Sequence, residues 1–151
     1  MYERGGLRVA TFGVLCITSI RGPITSEFIR EANAAGATLA RRVRGTIGAL
    51  DVVRSDAPLP DAALRAEAAQ LARAAGDRVA AAANVVVGEG FTASAIRSVL
   101  TAMTVIGGGA PRRTFAQPAP AVDWLAMQLG VPPRDLAPAA RWSERSMRDE
   151  L

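Results

Sequence analysis

The first third of the chain changes from a strand-like to a helix-like pattern of apolar residues. Two runs rich in β-branched and aromatic residues, 7–12 and 14–20, lie on either side of Gly13, which predicts a β-hairpin. Between residues 28 and 43 the apolar positions recur at spacings of three and four, which places them on one face of a helix. Thr25 and Ser26 precede this segment, and both are suitable N-caps.

The same alternation of strands and helices continues to residue 130. Further strands are predicted at 46–53, 85–87 and 112–115, and further helices after residues 60, 92 and 120. Because a helix follows each of these strands, the sheet should be mostly parallel, with right-handed crossovers. We therefore predict an α/β fold: a small mixed, mostly parallel sheet with an N-terminal antiparallel hairpin and about four helices.

A chain of 151 residues fits one domain with a real core. We expect residues 1–6 to be an N-terminal segment and residues 7–130 to be a single α/β domain. Residues 131–151 are proline-rich and then charged, and we interpret them as a tail, with a short helix from Ser143 left open. Trp142 in this tail either anchors a partner or packs back onto the domain.

The charge of the chain does not favour a nucleic-acid partner. The net charge is +4, from 18 basic and 14 acidic residues, and every basic residue is an arginine. These arginines are spread from Arg4 to Arg148 among the acidic residues. Nucleic-acid binding usually requires a focused basic patch, so we consider such binding unlikely on this pattern.

The sequence offers few groups for catalysis or metal binding. It contains no His and a single Cys, Cys16, within an apolar run, where a buried structural thiol is the favoured interpretation. A disulfide within the chain is excluded, which favours a reducing compartment. No apolar run approaches the roughly 20 residues of a membrane span. We expect a cytoplasmic protein with no cofactor, no metal and no membrane-spanning segment.

Four carboxylates near the ends of predicted strands are the alternative basis for catalysis. They are Asp51, Asp56, Asp61 and Glu89. Two of them, if paired, could act as acid and base or hold a metal ion. Their spacing does not require this, and loop or cap roles are the default interpretation. We predict no catalytic residue and no enzymatic activity, and we keep an enzyme with paired carboxylates as the less favoured alternative.

Ligands of parallel sheets tend to lie outside the carboxyl ends of the strands. In this chain those ends lead into the loops 54–60, 88–92 and 116–118. Gly88 and Gly90 would allow backbone N–H groups to approach an anion at the start of the third helix. A tight turn between strand and helix is the favoured interpretation of these glycines.

The outer side of the predicted third helix carries little charge. It comprises Ser94, Arg97, Ser98, Thr101 and Thr104, of which one is charged. An exposed helix face normally carries more charge. This side is therefore either largely covered or presented to a partner.

The order of elements, together with three segments, resembles the STAS and SpoIIAA-like family of small α/β regulatory domains. The segments are Arg-Gly-Pro-Ile-Thr at 21–25, Val-Val-Val-Gly-Glu-Gly-Phe at 85–91, and Arg-Thr-Phe at 113–115 followed by Ala-Val-Asp-Trp-Leu at 121–125. The resemblance covers about residues 7–130. It implies a non-enzymatic, cytoplasmic domain that binds a protein partner, such as a regulator or a kinase, sometimes under control of phosphorylation.

One segment departs from this family. Its anti-sigma-factor antagonists carry an Asp-Ser or similar pair at the start of the second helix, where the partner kinase phosphorylates the Ser. The corresponding sequence here is Arg54-Ser55-Asp56-Ala57-Pro58. Ser55 is thus a candidate phosphorylation site, where a phosphate would add about −1.5 to −2 charges beside Arg54. A plain turn residue is the favoured interpretation.

We predict a protein-interaction module that binds its partner through one surface, which we call the docking face. Its residues are Ser55, Asp56, Gly88, Gly90, Phe91, Ser94, Arg97, Ser98 and Thr101. The alternative is a domain that binds a small ligand, either a lipid or an acidic metabolite, because half of the residues are hydrophobic. A homodimer is also left open.

Overall fold

The computed structural model describes residues 1–106 and 109–148, with the side chains of 1–98 and 109–148. The strands in this part of the chain are β1 (Tyr2–Arg4), β2 (Leu7–Phe12), β3 (Leu15–Ile20), β4 (Ile47–Arg54), β5 (Val79–Val87) and β6 (Arg112–Phe115). The α-helices are α1 (Ser26–Val43), α2 (Ala62–Ala75), α3 (Gly90–Ile106), α4 (Pro118–Leu129) and α5 (Pro133–Arg148).

The strands form one sheet in the order in which they occur along the chain. The first three pair antiparallel, and β3 through β6 pair parallel. The predicted α/β class, with its N-terminal antiparallel hairpin and mostly parallel sheet, is confirmed. The described residues contain five helices where about four were predicted, and α5 is the additional one.

The N-terminal segment 1–6, expected to precede the domain, contributes the edge strand β1 to its sheet. Gly5 and Gly6 form a two-residue connection to β2, and both have positive φ. Such a pair of glycines is typical of the tight turn that joins two antiparallel strands. The Gly-Gly pair was therefore the signal in the sequence for this additional strand.

One face of the sheet packs on α1. Of the two predicted N-cap residues, Thr25 is the cap, since its Oγ1 accepts a hydrogen bond of 3.1 Å from the amide of Phe28, whereas Ser26 is the first residue of the helix. The helix ends at Val43, and its C-cap residue Arg44 takes the left-handed conformation. Phe28 and Leu39 on its inner face are buried against apolar residues of β2, β3 and β4.

The other face of the sheet packs on α4 and α5, and here the structure differs from the expected tail at 131–151. Helix α5 buries Leu136, Ala139 and Met147 in the same cluster as the inner residues of α4. The rings of Trp142 and Phe12 lie 5.9 Å apart, so Trp142 packs back onto the domain. The charged residues misled the prediction because they occupy the outer side of an amphipathic helix.

Helix α2 lies on the surface of the domain and contributes no buried residue to its core. Asp61 caps it by accepting a hydrogen bond from the amide of Leu64, at 2.8 Å. Glu67 joins it to α1 through hydrogen bonds from Ser26 Oγ of 2.7 Å. None of the 14 residues of α2 is buried. Its apolar side is half-buried at Leu64 and Leu71 and exposed at Ala68.

Candidate functional site

The structure brings together the two loops that were predicted to form the docking face. Strands β4 and β5 are adjacent and end side by side, with Arg54 opposite Val87. The amide of Ser55 donates a 2.9 Å hydrogen bond to the carbonyl of Val87. Gly88 follows with a φ of +144°, and a Cβ atom there would overlap Ser55 Oγ. The two loops therefore contact each other because residue 88 has no side chain.

The loop after β4 holds its polar groups locally and exposes an apolar one. The guanidinium of Arg54 donates to the carboxylate of Asp56, so these charges partly neutralise each other. Ser55 is half-buried against Gly88, whereas Asp56 is exposed. Leu59 has 79% of its surface exposed. This loop therefore exposes the hydrophobic side chain of Leu59, while the charges of Arg54 and Asp56 in the same loop are paired with each other.

The second loop leads directly into α3. Gly90 begins the helix with a φ of +89°, and Phe91 follows with 89% of its surface exposed. Ala93 is the buried residue of this first turn, so Phe91 is neither a core residue nor a lid against the sheet. Ser94 is exposed as well.

The docking-face residues further along α3 have different environments. Ser98 is exposed, as expected. Arg97 is half-buried, and its guanidinium donates a 2.9 Å hydrogen bond to the carbonyl of Val86. Arg97 therefore attaches the helix to the end of β5. Thr101 is not among the residues whose side chains the structure describes.

A set of polar side chains that the sequence analysis did not bring together crosses the middle of the sheet. Thr18, Asp51, Asn84 and Thr114 are register partners on β3, β4, β5 and β6, and we call them the polar row. The side chains of residues that are paired across neighbouring parallel strands point to the same face of the sheet. Thr18 Oγ1 donates to Asp51 Oδ1 at 2.6 Å, which confirms that the side chains face one another.

The carboxylates considered for acid–base chemistry are engaged separately. Asp51 accepts from Thr18, Asp56 pairs with Arg54, and Asp61 caps α2. Glu89 is exposed beside Gly88. Within the described part of the chain, no three His, Cys, Asp or Glu residues are grouped so that they could hold a metal ion.

Cys16 lies on the same face as the polar row and is buried. Burial and, to a smaller extent, the Asp51 carboxylate raise the pKa of this thiol to about 11, against an opposing effect of Arg78. The Sγ atom lies 3.9 Å from the carbonyl oxygen of Ala32 on α1. At neutral pH the thiol is protonated, which fits the predicted structural role.

Comparison with known proteins supports the fold and leaves the function open. The structure resembles that of an uncharacterized protein from the DUF3478 family with a SpoIIAA-like fold, from Shewanella loihica PV-4, at a TM-score of 0.54 and 14% sequence identity. The match covers 83% of this chain and 98% of that chain. No family model matches the sequence, and no curated protein matches it significantly. The SpoIIAA-like fold implied by the resemblance in the sequence is confirmed.

Among the described residues, none of the helices combines the length and the apolar character that crossing a membrane requires.

Proposed function

We propose that this protein is a non-enzymatic binding module that captures a partner protein through its docking face, extended by Leu59. The observation that carries the proposal is the exposure of Leu59 and Phe91, at 79% and 89%. Leu59 lies on the loop after β4, Phe91 lies in the first turn of α3, and the segments that lead to them contact each other at Ser55 and Gly88. Exposed large apolar side chains are typical of interaction sites, and aromatic residues often dominate binding energy.

The described outer side of α3 supports this proposal. Ser94 and Ser98 continue the exposed surface beyond Phe91, and both are small and uncharged. The centre of a protein interface is depleted of charge because ions are costly to desolvate. A partner could therefore cover this surface without burying an unpaired ion there.

The separate engagement of the carboxylates supports a binding role over catalysis. A general acid and base must both reach the reacting group. Asp56 and Asp61 instead hold Arg54 and the first turn of α2, respectively. We therefore propose that they shape the loop rather than react.

Ser55 is the proposed point of regulation. Its hydroxyl lies against Gly88, so a phosphate there would force the two loops apart. The added charge would also compete with Asp56 for Arg54, which now pairs with that carboxylate. We expect phosphorylation by a partner kinase to reshape the docking face.

The proposal is tested by capture from lysate with the tagged full-length chain and three variants, read by quantitative mass spectrometry. Phe91→Ser and Leu59→Ser remove the apolar anchors. Met127→Ser is the matched control, because Met127 is 68% exposed on α4. A specific partner should be depleted about tenfold or more by Phe91→Ser, as expected for a hot spot, and retained by Met127→Ser.

Two results would contradict the proposal. One is the same set of captured proteins with all four baits. The other is equal depletion by Met127→Ser, which would indicate non-specific adhesion. A captured partner should next be produced recombinantly and its affinity compared among the variants. Capture of the untagged chain itself would identify the partner as a second copy.

A further inference from the structure

The polar row occupies a position where a fold of this kind normally places apolar residues. Parallel strands covered by helices are usually rich in Val, Ile and Leu. On this face the neighbours of Thr18 along β3, Cys16 and Ile20, follow that pattern. Thr18 and Asn84 do not, yet both are buried. Both have a partner, since Thr18 donates to Asp51 and Asn84 accepts from Arg112. Apolar residues would fill the same positions without needing partners, so core packing by itself does not require the polar row.

Solvent reaches the middle of this face. Asp51 lies on β4, between β3 and β5, yet 35% of its side chain is exposed. The side chain of Arg112 on β6 is 43% exposed. Helix α2, which connects β4 to β5, is joined to α1 and buries none of its residues. The surface of the sheet above Asp51 is therefore partly open.

One arginine lies beside the single carboxylate of the polar row. Arg112 Nη1 lies 3.8 Å from Asp51 Oδ2 and donates a 3.2 Å hydrogen bond to Asn84 Oδ1. A guanidinium carries five N–H donors, so these contacts leave others of Arg112 to receive an oxyanion.

One buried polar atom of the polar row has no hydrogen-bond partner among the described residues. It is Thr114 Oγ1, at the β6 end of the row. Leaving a buried donor without a partner is unfavourable. A bound group that accepts a hydrogen bond from this hydroxyl would remove that cost.

We propose that the polar row, with Arg112, binds a small acidic molecule through its carboxylate or phosphate group. Arg112 receives the oxyanion, since a guanidinium matches both groups in geometry and charge. Thr114 Oγ1 donates a further hydrogen bond to it. Asp51, whose Oδ1 already accepts from Thr18, offers its other oxygen to a hydroxyl or amine of the same molecule.

This binding site is separate from the docking face. Asp51 lies four residues before Ser55, which corresponds to about 13 Å along an extended strand. The inference therefore does not depend on the proposed partner binding, and either one can fail while the other holds.

The test is a titration of the full-length, ¹⁵N-labelled protein with inorganic phosphate and, separately, with succinate, followed by NMR at constant ionic strength. We expect saturable shifts centred on the amides of Thr18, Asp51 and Asn84. A response to one probe alone assigns the ligand to that class, and a response to both defines a site for either oxyanion. Absence of a saturable response to both probes would overturn the proposal.

Neighbouring arginines on β6 provide a matched pair of variants. Arg112→Gln should weaken binding tenfold or more. Arg113→Gln should leave it unchanged, because successive strand residues point to opposite faces and Arg113 lies over the ring of Phe115 at 5.2 Å. Equal loss in both variants would identify non-specific charge binding and reject the site.

A third variant separates binding from folding. Thr114→Val removes the unpartnered hydroxyl and nearly preserves shape, so thermal stability should stay constant or increase. Affinity for the oxyanion should nevertheless fall at least threefold. Unchanged affinity would exclude the assigned contact, even if Arg112→Gln had perturbed the fold.

Discussion

At the scale of single residues, the contact between Ser55 and Gly88 determines how the loops of the docking face meet. Residue 88 combines a φ of +144° with the close approach of Ser55. A side chain at residue 88 would be opposed both by backbone strain and by a steric clash. Gly90, two residues later, also has positive φ but has no neighbouring atom within 4 Å of an added Cβ.

We predict that Gly88→Ala lowers the free energy of unfolding by about 2–4 kcal/mol, because strain and overlap add. Gly90→Ala should cost only about 1–2 kcal/mol, from strain alone. Urea unfolding measures both values. Ser55→Gly in the Gly88→Ala background should recover the part that is due to the clash. Equal costs for the two single variants would show that Ser55 does not press against residue 88.

The second prediction at this scale concerns Cys16. Because burial raises the pKa of its thiol to about 11 in the folded chain, the protonated form favours folding. The protonated thiol makes its full contribution to the free energy of unfolding below pH 9, the ordinary pKa of a thiol. The contribution is lost as the pH rises from there to about 11, the pKa in the folded chain. It amounts to roughly 2–3 kcal/mol at most.

The measurement is the free energy of unfolding between pH 8 and pH 10.5 for the natural chain and for Cys16→Ala. The natural chain should lose stability more steeply over this range than the variant does. Parallel curves would contradict a protonated, buried thiol. As an independent check, a thiol reagent at pH 8 should react with Cys16 only after unfolding, since the thiolate is the reactive form.

At the scale of elements, α5 shows that a charged and proline-rich segment can complete a core. Pro133 begins the helix, where a missing amide donor costs nothing, and Pro138 lies within it. The apolar residues recur at helical spacing on one side, and the arginines occupy the other. Leu136 from this side reaches the β2–β3 turn, where its Cδ2 would contact a Cβ at Gly13 at 3.4 Å.

We therefore predict that Leu136→Ala lowers the free energy of unfolding by about 2–4 kcal/mol, as expected for a fully buried leucine. Met127→Ala on the neighbouring helix should change it by less than about 0.5 kcal/mol, because Met127 is exposed. Chemical denaturation of both variants measures these changes in the free energy of unfolding. A small effect of Leu136→Ala would restore the interpretation of this segment as a dispensable tail.

At the scale of the whole molecule, the two faces of the sheet are covered differently. On one face α4 and α5 pack closely and share one apolar cluster with β3, β4 and β5. On the other, α1 packs tightly, α2 buries nothing and Asp51 remains partly exposed. Both proposals use this asymmetry. A closely packed face stabilises the fold, so the face with α1, α2 and α3 can present polar groups and exposed loops.

Much of the fold could be predicted from the sequence because periodicity is a local property. The hairpin around Gly13, the cap at Thr25 and the order of strands and helices all depend on residues close together in the chain. The adjacent loops of the docking face could also be predicted, since neighbouring parallel strands end at the same edge of a sheet.

The tertiary structure alone decided which distant groups meet. Thr18 and Asp51 are 33 residues apart, and only the register of β3 and β4 makes them partners. Likewise, the pattern of α3 suggested that Arg97 faced solvent, whereas its long side chain turns back to the carbonyl of Val86. Local patterns determine elements, whereas side-chain chemistry depends on register and packing, which no short stretch of sequence encodes.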